Sequence, residues 1–213
     1  TMIGLRSKRV CYSLLTFLLF LNLTFRYPIF PHEYGIDTFA VHGMADIVSN
    51  EGKATWNLNF LSFFGWYAYS YPSGYQFVLS SFSTIASIDM ETTIYILSTF
   101  VGTLGIFTIF LCAKVIRNDN FFALTVASIF PLMHRVLHWT WWNASLRGPF
   151  MILLPIFIWS LIKLYTNKNQ RVRHFIISSL LLFTLASLHR MVIFVFPILV
   201  LPFIISVLIK EKY

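Results

Sequence analysis

The chain has 213 residues, of which 57% are hydrophobic and only 11% are charged. Because soluble domains carry roughly 25% charged residues, this composition excludes an ordinary water-soluble globular protein and predicts an integral membrane protein with several helical spans. The net charge of +8 does not indicate a nucleic-acid-binding protein, because the Lys and Arg residues lie in short segments between apolar runs and form no continuous basic stripe.

Six apolar stretches are candidates for membrane-spanning helices, which need about 20 residues within a usual range of roughly 17–25. The stretches, of which the first and the fifth are short, are Val10–Phe25, Thr92–Ile116, Asn120–Leu137, Gly148–Tyr165, His174–Leu188 and Met191–Ile209. The first stretch has the basic flank and apolar core of a secretory signal, but it lacks small residues suited to cleavage before Arg26. We therefore expect that this stretch is not cleaved and forms the first membrane-spanning helix.

A seventh stretch, Tyr71–Ile88, is apolar overall but rich in Ser and Thr. The distribution of Lys and Arg along the chain decides whether this stretch crosses the membrane. If it does not cross the membrane, 11 of the 16 Lys and Arg residues fall on the cytoplasmic side, whereas only six of the 16 do so if it crosses. Cytoplasmic loops carry the excess of Lys and Arg, so the first arrangement is favoured. Tyr71–Ile88 is then expected to lie at, or dip into, the outer interface.

The predicted fold is an all-α polytopic membrane protein with about six transmembrane helices, in which residues 1–213 form a single transmembrane domain. The N-terminus is expected in the cytoplasm, and residues 26–91 form a large first outer loop that contains juxtamembrane helices. Six of the eight acidic residues fall in this loop. The sequence thus predicts that carboxylates are concentrated at the extracytoplasmic face.

The outer loop contains a predicted helix with three candidate site residues. Asp37 or Thr38 is expected to cap its N-terminus, and the helix is expected to run to about Ser49. His42 and Asp46 are four residues apart and share one helical face. A carboxylate at position 37 faces helix amides and is expected to stay ionised. Asp37 is therefore either a plain N-cap or a general base that acts on a hydroxyl at the membrane edge.

The later outer turns supply cationic and imidazole side chains. This group consists of His134, Arg135, His138, Arg147, His189 and Arg190. The spacing of the first two histidines suits a metal, a phosphate group or simple interfacial hydrogen bonding, and Arg190 is either functional or snorkels to the interface. Cations opposite carboxylates at one membrane face would suit a lipid substrate that carries phosphate, with the cations on the phosphate and a carboxylate on a hydroxyl.

The order of several short motifs resembles the GT-C superfamily of membrane glycosyltransferases, in particular the prokaryotic branch near the mannosyltransferase and aminoarabinose-transferase-like proteins. The motifs are Gly35-Ile36-Asp37-Thr38, the helix with His42 and Asp46 that ends near Gly52, Tyr71-Pro72-Ser73-Gly74-Tyr75, and Ser187-Leu188-His189-Arg190. They cover most of the first 90 residues, and the remainder of the chain more loosely.

This resemblance implies an enzyme that transfers a sugar from a polyprenyl-phosphate-linked donor to an acceptor hydroxyl or amide at the outer membrane face. It places the catalytic acid in the first outer loop, where Asp37 is the matching position. The implied partners are the lipid-linked sugar and membrane lipids. Participation of a divalent cation stays open, because no second acid follows Glu91 in the outer loops.

Two other functions compete with this one. Superfamily members typically have eight or more spans, so a non-catalytic membrane subunit, or a truncated remnant completed by a second membrane chain, also fits the smaller number predicted here. A small-solute transporter fits the interruption of spans by Pro155, Pro197 and Pro202. The centres of the predicted spans lack the acidic residues that a transport pathway usually contains.

Overall fold

The structure is a computed structural model that describes residues 8–53, 73–201 and 204. All regular structure in this part of the chain is helical, which confirms the predicted all-α class. The helices are α1 (Lys8–Phe25), α2 (Ile36–Glu51), α3 (Gly74–Ala86), α4 (Met90–Ile116), α5 (Asn120–Ile129), α6 (His134–Thr140), α7 (Arg147–Thr166), α8 (Arg171–Leu188) and α9 (Val192–Val195).

Three helical segments among the described residues are long and apolar enough to cross a membrane, namely Met90–Ile116, Arg147–Thr166 and Lys168–Leu188. The number becomes four if α5 and α6 together form one bent span, and α1 belongs to the shorter apolar helices. The predicted count of about six spans is therefore not confirmed. The predicted last span, Met191–Ile209, lies partly outside the described residues, and its described part contains α9 and a π-helical turn, Phe196–Val200.

The predicted third span, Asn120–Leu137, is not one continuous helix. A 3-10 turn, Phe130–Leu132, follows α5, and the axis then bends by 58° into α6. Pro131 explains the break, because proline has no N–H to donate and its ring clashes with the preceding turn of an α-helix. His134 and His138 consequently lie on a short, separate helix.

Aspartate caps begin two of the apolar helices. Oδ1 of Asp89 accepts a hydrogen bond of 2.8 Å from the backbone N–H of Thr92 at the start of α4. Oδ1 of Asp119 accepts one of the same length from Phe121 at the start of α5. Side-chain oxygens at this position satisfy backbone donors that have no partner within the helix, so local chemistry sets both boundaries.

The helix α4 lies at the centre of the described bundle and contacts α1, α3, α5 and α7, while α7 packs against α8. Apolar side chains also remain exposed on the outer face of α8, among them Phe175, Leu180 and Phe183. An exposed apolar face of this kind is unfavourable in water and is expected where lipid covers the helix. The exposure pattern therefore agrees with a membrane environment.

Arg26 joins α1 to the bend between α5 and α6. Its side chain is fully buried, with 0% exposed. Nη2 donates to the carbonyl oxygen of Pro131 at 3.1 Å and to Oγ1 of Thr140 at 2.7 Å, and Nη1 contacts Oδ1 of Asn22. A Cβ atom at Gly102 of α4 would overlap the Arg26 guanidinium. The absence of a side chain at position 102 is what lets this buried cation fit.

An apolar core connects α2 and α3 to one end of the bundle, where α4 and α7 begin and α8 ends. Its buried members are Val41, Ala45, Tyr75, Leu79, Met90, Ile94, Ala144, Leu146 and Leu188. With 13 residues, α3 rises about 20 Å, less than the roughly 30 Å of a hydrocarbon core. It is therefore too short to cross a membrane alone, and its predicted interfacial position stays a prediction, as residues 71 and 72 lie outside the described range.

Candidate functional site

The helix α2 begins without a side-chain cap. Gly35 occupies the N-cap position with a φ of 100°, a value that favours glycine. The expectation that Asp37 or Thr38 caps the helix is therefore wrong. Oγ1 of Thr38 instead donates to the carbonyl oxygen of Tyr34 at 2.6 Å. Because Asp37 is not needed as a cap, its carboxylate is available for a tertiary contact.

Two hydrogen bonds hold the start of α2 against the loop that precedes α7. The backbone N–H of Tyr34 donates to the carbonyl oxygen of Trp142 at 3.2 Å, and the N–H of Ala144 donates to Oγ1 of Thr38 at 3.2 Å. Thr38 and Ala144 are both fully buried. This junction places the first turn of α2 beside the first turn of α7.

An ion pair forms at the junction between these two helix starts. Nη1 of Arg147 lies 3.2 Å from Oδ2 of Asp37, and the two side chains are 43% and 42% exposed. The guanidinium carbon lies 5.6 Å from the ring centroid of Trp139, a cation–π contact that orients it further. Partly exposed ion pairs contribute only about 0–1 kcal/mol to stability, so this pair contributes little to holding the fold together.

The ion pair borders a cleft of about 610 Å³, a size within the usual range for small-molecule sites. Its walls combine a carboxylate, a guanidinium, an imidazole, an amide and aromatic rings. The lining residues are Glu33, Tyr34, Gly35, Ile36, Asp37, Phe39, His138, Trp139, Asn143 and Arg147. Such a mixture can hold an anionic group and a polar ring at the same time.

The predicted residues of α6 divide between the cleft and the surface. His138 lines the cleft, where its ring meets that of Tyr34 edge-on with 5.7 Å between the centroids. His134 stacks on His138, with 6.2 Å between their centroids. Arg135 is exposed and is absent from the cleft lining. Of these three residues, only His138 is placed to contact a molecule in the cleft directly.

The turn after α8 lies at the same end of the bundle but outside the cleft lining. The ring of His189 lies 5.8 Å from that of Phe150, and its Nδ1 accepts a hydrogen bond from the backbone of Met191. Burial lowers the pKa of His189, and the positive charges of Arg147 and Arg190 lower it further. His189 is therefore favoured in its neutral form, while Arg190 is exposed.

His42 and Asp46 belong to a second polar cluster, which adjoins the cleft through Glu33. Nε2 of His42 lies 3.2 Å from Oδ2 of Asp46, and Nδ1 lies 2.7 Å from Oε1 of Glu33. The backbone N–H of Glu33 donates to Oε1 of Glu91 at 2.9 Å. Burial raises the pKa of Glu33, although its hydrogen bond and charge interaction with His42 oppose the rise.

Sequence reasoning missed several residues of the cleft, above all Glu33, Asn143 and Trp139. Glu33 precedes Gly35 by only two residues, so its position in the first outer loop was a signal that went unused. Asn143 begins the glycosylation pattern Asn143-Ala144-Ser145, which does not indicate a cleft, and it reaches the cleft through the loop before α7. Trp139 carries no motif and reaches the cleft from α6. Within the described ranges, no group of three or more His, Cys, Asp or Glu side chains is arranged to hold a metal ion.

Comparison with known proteins finds no matching family model, no matching curated protein and no matching solved structure.

Proposed function

We propose that the chain transfers a sugar from a polyprenyl-phosphate-linked donor to an acceptor hydroxyl, with the cleft at the start of α2 and α7 as the reaction site. The observation that carries this proposal is the 3.2 Å ion pair between Asp37 and Arg147 at the border of the cleft. A base for the hydroxyl and a cation for the phosphate are the two groups that such a transfer requires.

The reaction follows from the roles of these two side chains. The Asp37 carboxylate accepts the proton of the acceptor hydroxyl, and the acceptor oxygen forms a bond to the anomeric carbon of the sugar. The bond from that carbon to the phosphate oxygen breaks, and its electron pair leaves with the phosphate. Arg147 contacts Asp37 through Nη1, and its guanidinium carries five donors in all. It can therefore bind the departing phosphate while it remains beside Asp37.

The rim of the cleft supports a donor that is carried by a lipid. Ile36 and Phe39 both line the cleft, and they are 90% and 62% exposed. Ile29 and Phe30, in the segment before α2, are also exposed. Exposed apolar side chains next to a polar site are typical of surfaces that meet lipid or an apolar ligand, and a polyprenyl chain has this chemistry.

The test uses Asp37→Asn and Arg147→Gln in the full chain, reconstituted into lipid vesicles with a polyprenyl-phosphate-linked sugar and a hydroxyl acceptor. Asp37→Asn is expected to abolish transfer, because the amide cannot accept the proton. Arg147→Gln is expected to weaken binding of polyprenyl phosphate, measured separately by native mass spectrometry. Protein level in the membrane should stay unchanged in both variants.

The chain contains a matched control pair. Arg117 and Asp119 form a comparable surface ion pair of 3.5 Å beyond the other end of α4. Asp119→Asn, which retains a helix-capping side chain, and Arg117→Gln should both leave transfer intact. Full activity of Asp37→Asn would remove the proposed base. Failure of the wild-type chain to transfer or to bind the donor would favour the non-catalytic alternative.

A further inference from the structure

A row of three titratable side chains connects the cleft wall to the surface. Oε1 of Glu33 lies 2.7 Å from Nδ1 of His42, and Nε2 of His42 lies 3.2 Å from Oδ2 of Asp46. Their side chains are 4%, 27% and 47% exposed in this order. One end of the row therefore lies in the lining of the cleft and the other end lies in solvent.

The scaffold holds this row in a defined geometry. His42 and Asp46 are four residues apart on α2, and the spacing places both on one face of the helix. The hydrogen bond from the backbone of Glu33 to Glu91 fixes the buried end. The ring of His42 thus uses both nitrogens at once, one toward each carboxylate, which is the arrangement needed to accept a proton on one side and donate one on the other.

Glu33 also has one carboxyl oxygen without a hydrogen-bond partner among the described residues. This oxygen is Oε2, and it is buried. Buried polar atoms are nearly always paired, so an unpaired one in the wall of a functional cleft calls for an explanation. A carboxyl group that takes up a proton during turnover supplies that explanation.

We infer that Glu33, His42 and Asp46 form a proton relay that carries the proton released in the cleft to the surface, an inference that rests on the proposed function. Asp37, which accepts the proton of the acceptor hydroxyl, passes it to Glu33 through a water molecule in the cleft that both residues line. The Glu33 carboxylate becomes the carboxylic acid, and Asp37 returns to its ionised form. Glu33 then protonates His42 at Nδ1, the imidazolium loses a proton from Nε2 to Asp46, and Asp46 releases it to water. The partly exposed ring returns to its first tautomer by exchange with water, so one proton is moved and no other reactant is consumed.

The electrostatic surroundings agree with this role. Burial raises the pKa of Glu33, the charges of Glu91 and Asp46 raise it further, and His42 opposes them. Hydrogen bonds from Thr92 are the main cause of the lowered pKa of Asp89, to which the charge of His42 adds a smaller contribution, and His32 pairs with Glu91 at 3.2 Å. A carboxyl group with a raised pKa takes up protons closer to neutral pH than an ordinary glutamate does.

The first test does not depend on activity. Infrared pH titration of the full chain in lipid nanodiscs should show a carboxylic-acid band that persists above the ordinary range of Glu and is absent in Glu33→Gln. Nitrogen-15 NMR of labelled histidine should show that Glu33→Gln and Asp46→Asn both shift the titration of the His42 ring. A titration of His42 that neither variant changes would overturn the relay, and so would the same infrared spectrum in wild type and Glu33→Gln.

The second test measures transfer. Glu33→Gln is expected to lower kcat by roughly tenfold, below the ~100-fold or more typical of a direct general base, with KM unchanged and an altered pH profile. Glu51→Gln is the matched control and should match wild type, because Glu51 is an exposed carboxylate at the end of α2. A normal rate and pH profile in Glu33→Gln, with transfer still abolished in Asp37→Asn, would overturn the relay and leave the proposed function standing. Full transfer in Asp37→Asn would remove the base instead, and the spectroscopic result would still decide the relay.

Discussion

Oδ2 of Asp37 and Nη1 of Arg147 lie 3.2 Å apart, although 110 positions separate the two residues in the chain. The contact depends on the junction in which Tyr34 binds the Trp142 carbonyl and Thr38 binds the Ala144 amide. Two fully buried residues at this junction, Thr38 and Ala144, together with the apolar core that joins α2 to the bundle, position the ion pair. The ion pair therefore forms because the surrounding residues pack in this way, and it does not itself stabilise that packing.

Removing the ion pair should change stability very little. In a double-mutant cycle of Asp37→Asn and Arg147→Gln, the coupling free energy of unfolding is expected to be about 0–1 kcal/mol, because both side chains are partly exposed. Thermal unfolding of the purified chain in detergent measures it, with the Arg117–Asp119 pair as a comparison. A coupling well above this range would make the pair a structural element and weaken the case for a reaction site.

Adding one methyl group at Gly102 should destabilise the fold. The Cβ atom of Gly102→Ala would overlap the guanidinium of the fully buried Arg26, and overpacking of this kind costs about 1–3 kcal/mol. Gly43→Ala is the matched control, because position 43 also lies within a helix but has nothing within 4 Å of its Cβ position. Alanine is the better helix former, so Gly43→Ala is expected to stabilise by up to about 1 kcal/mol.

The result to look for is the difference in unfolding midpoint between these two alanine variants in the same detergent. Equal midpoints would show that the Arg26 side chain can move away at no cost. Arg26 would then not be the element that ties α1 to the bend at Pro131.

The stability of the chain should depend on pH through Glu33. Burial raises the pKa of this carboxyl group above its ordinary value of 4.5, so the folded state binds the proton more tightly than the unfolded state does. The resulting stabilisation is fully present below pH 4.5 and is lost as the pH rises through the folded-state pKa. Relative to Glu33→Gln, the wild-type chain should therefore lose stability as the pH rises.

Unfolding midpoints of both proteins across a pH series measure this difference. Glu51→Gln serves as the reference, since Glu51 is exposed and its removal should give a difference that hardly varies with pH. A difference between wild type and Glu33→Gln that stays constant, or that changes in the opposite direction, would contradict the raised pKa.

Chemical labelling decides which membrane face the cleft occupies. The introduced cysteine of Glu51→Cys, next to the C-cap of α2, is expected to react with an impermeant reagent added outside. The introduced cysteine of Lys168→Cys should react only after the membrane is permeabilised. The reason is the concentration of Lys and Arg around residues 163–173, which favours the cytoplasmic side. The native Cys11 and Cys112 are buried and give little background.

Labelling of position 168 from outside would show that the chain has the opposite orientation in the membrane. The Asp37–Arg147 pair would remain intact, because the structure joins the two residues independently of any membrane. The cleft would then face the cytoplasm, and a donor presented on the outer leaflet would no longer reach it.

The longest helices were predictable from the sequence nearly to the residue. The runs Thr92–Ile116, Gly148–Tyr165 and His174–Leu188 correspond to α4, α7 and α8, whose ends differ by at most three residues. Long apolar runs flanked by charged residues specify such helices locally, because length and hydrophobicity are properties of the run itself. Prolines in two of the runs were local signals for a break, but only the structure shows that the chain bends after Pro131 and that α7 continues through Pro155.

The sequence by itself determined that the chain is helical, that it is too apolar for water and that its acids are concentrated before α4. Only the tertiary structure decided that Asp37 meets Arg147 and does not cap its own helix, that Glu33 is buried against His42, and that Arg135 and Arg190 stay outside the cleft. The physical reason is the separation along the chain of the residues that interact. Helix formation depends on neighbours within a few positions, whereas a cleft depends on how residues far apart in the sequence pair and pack. No local sequence pattern encodes that packing.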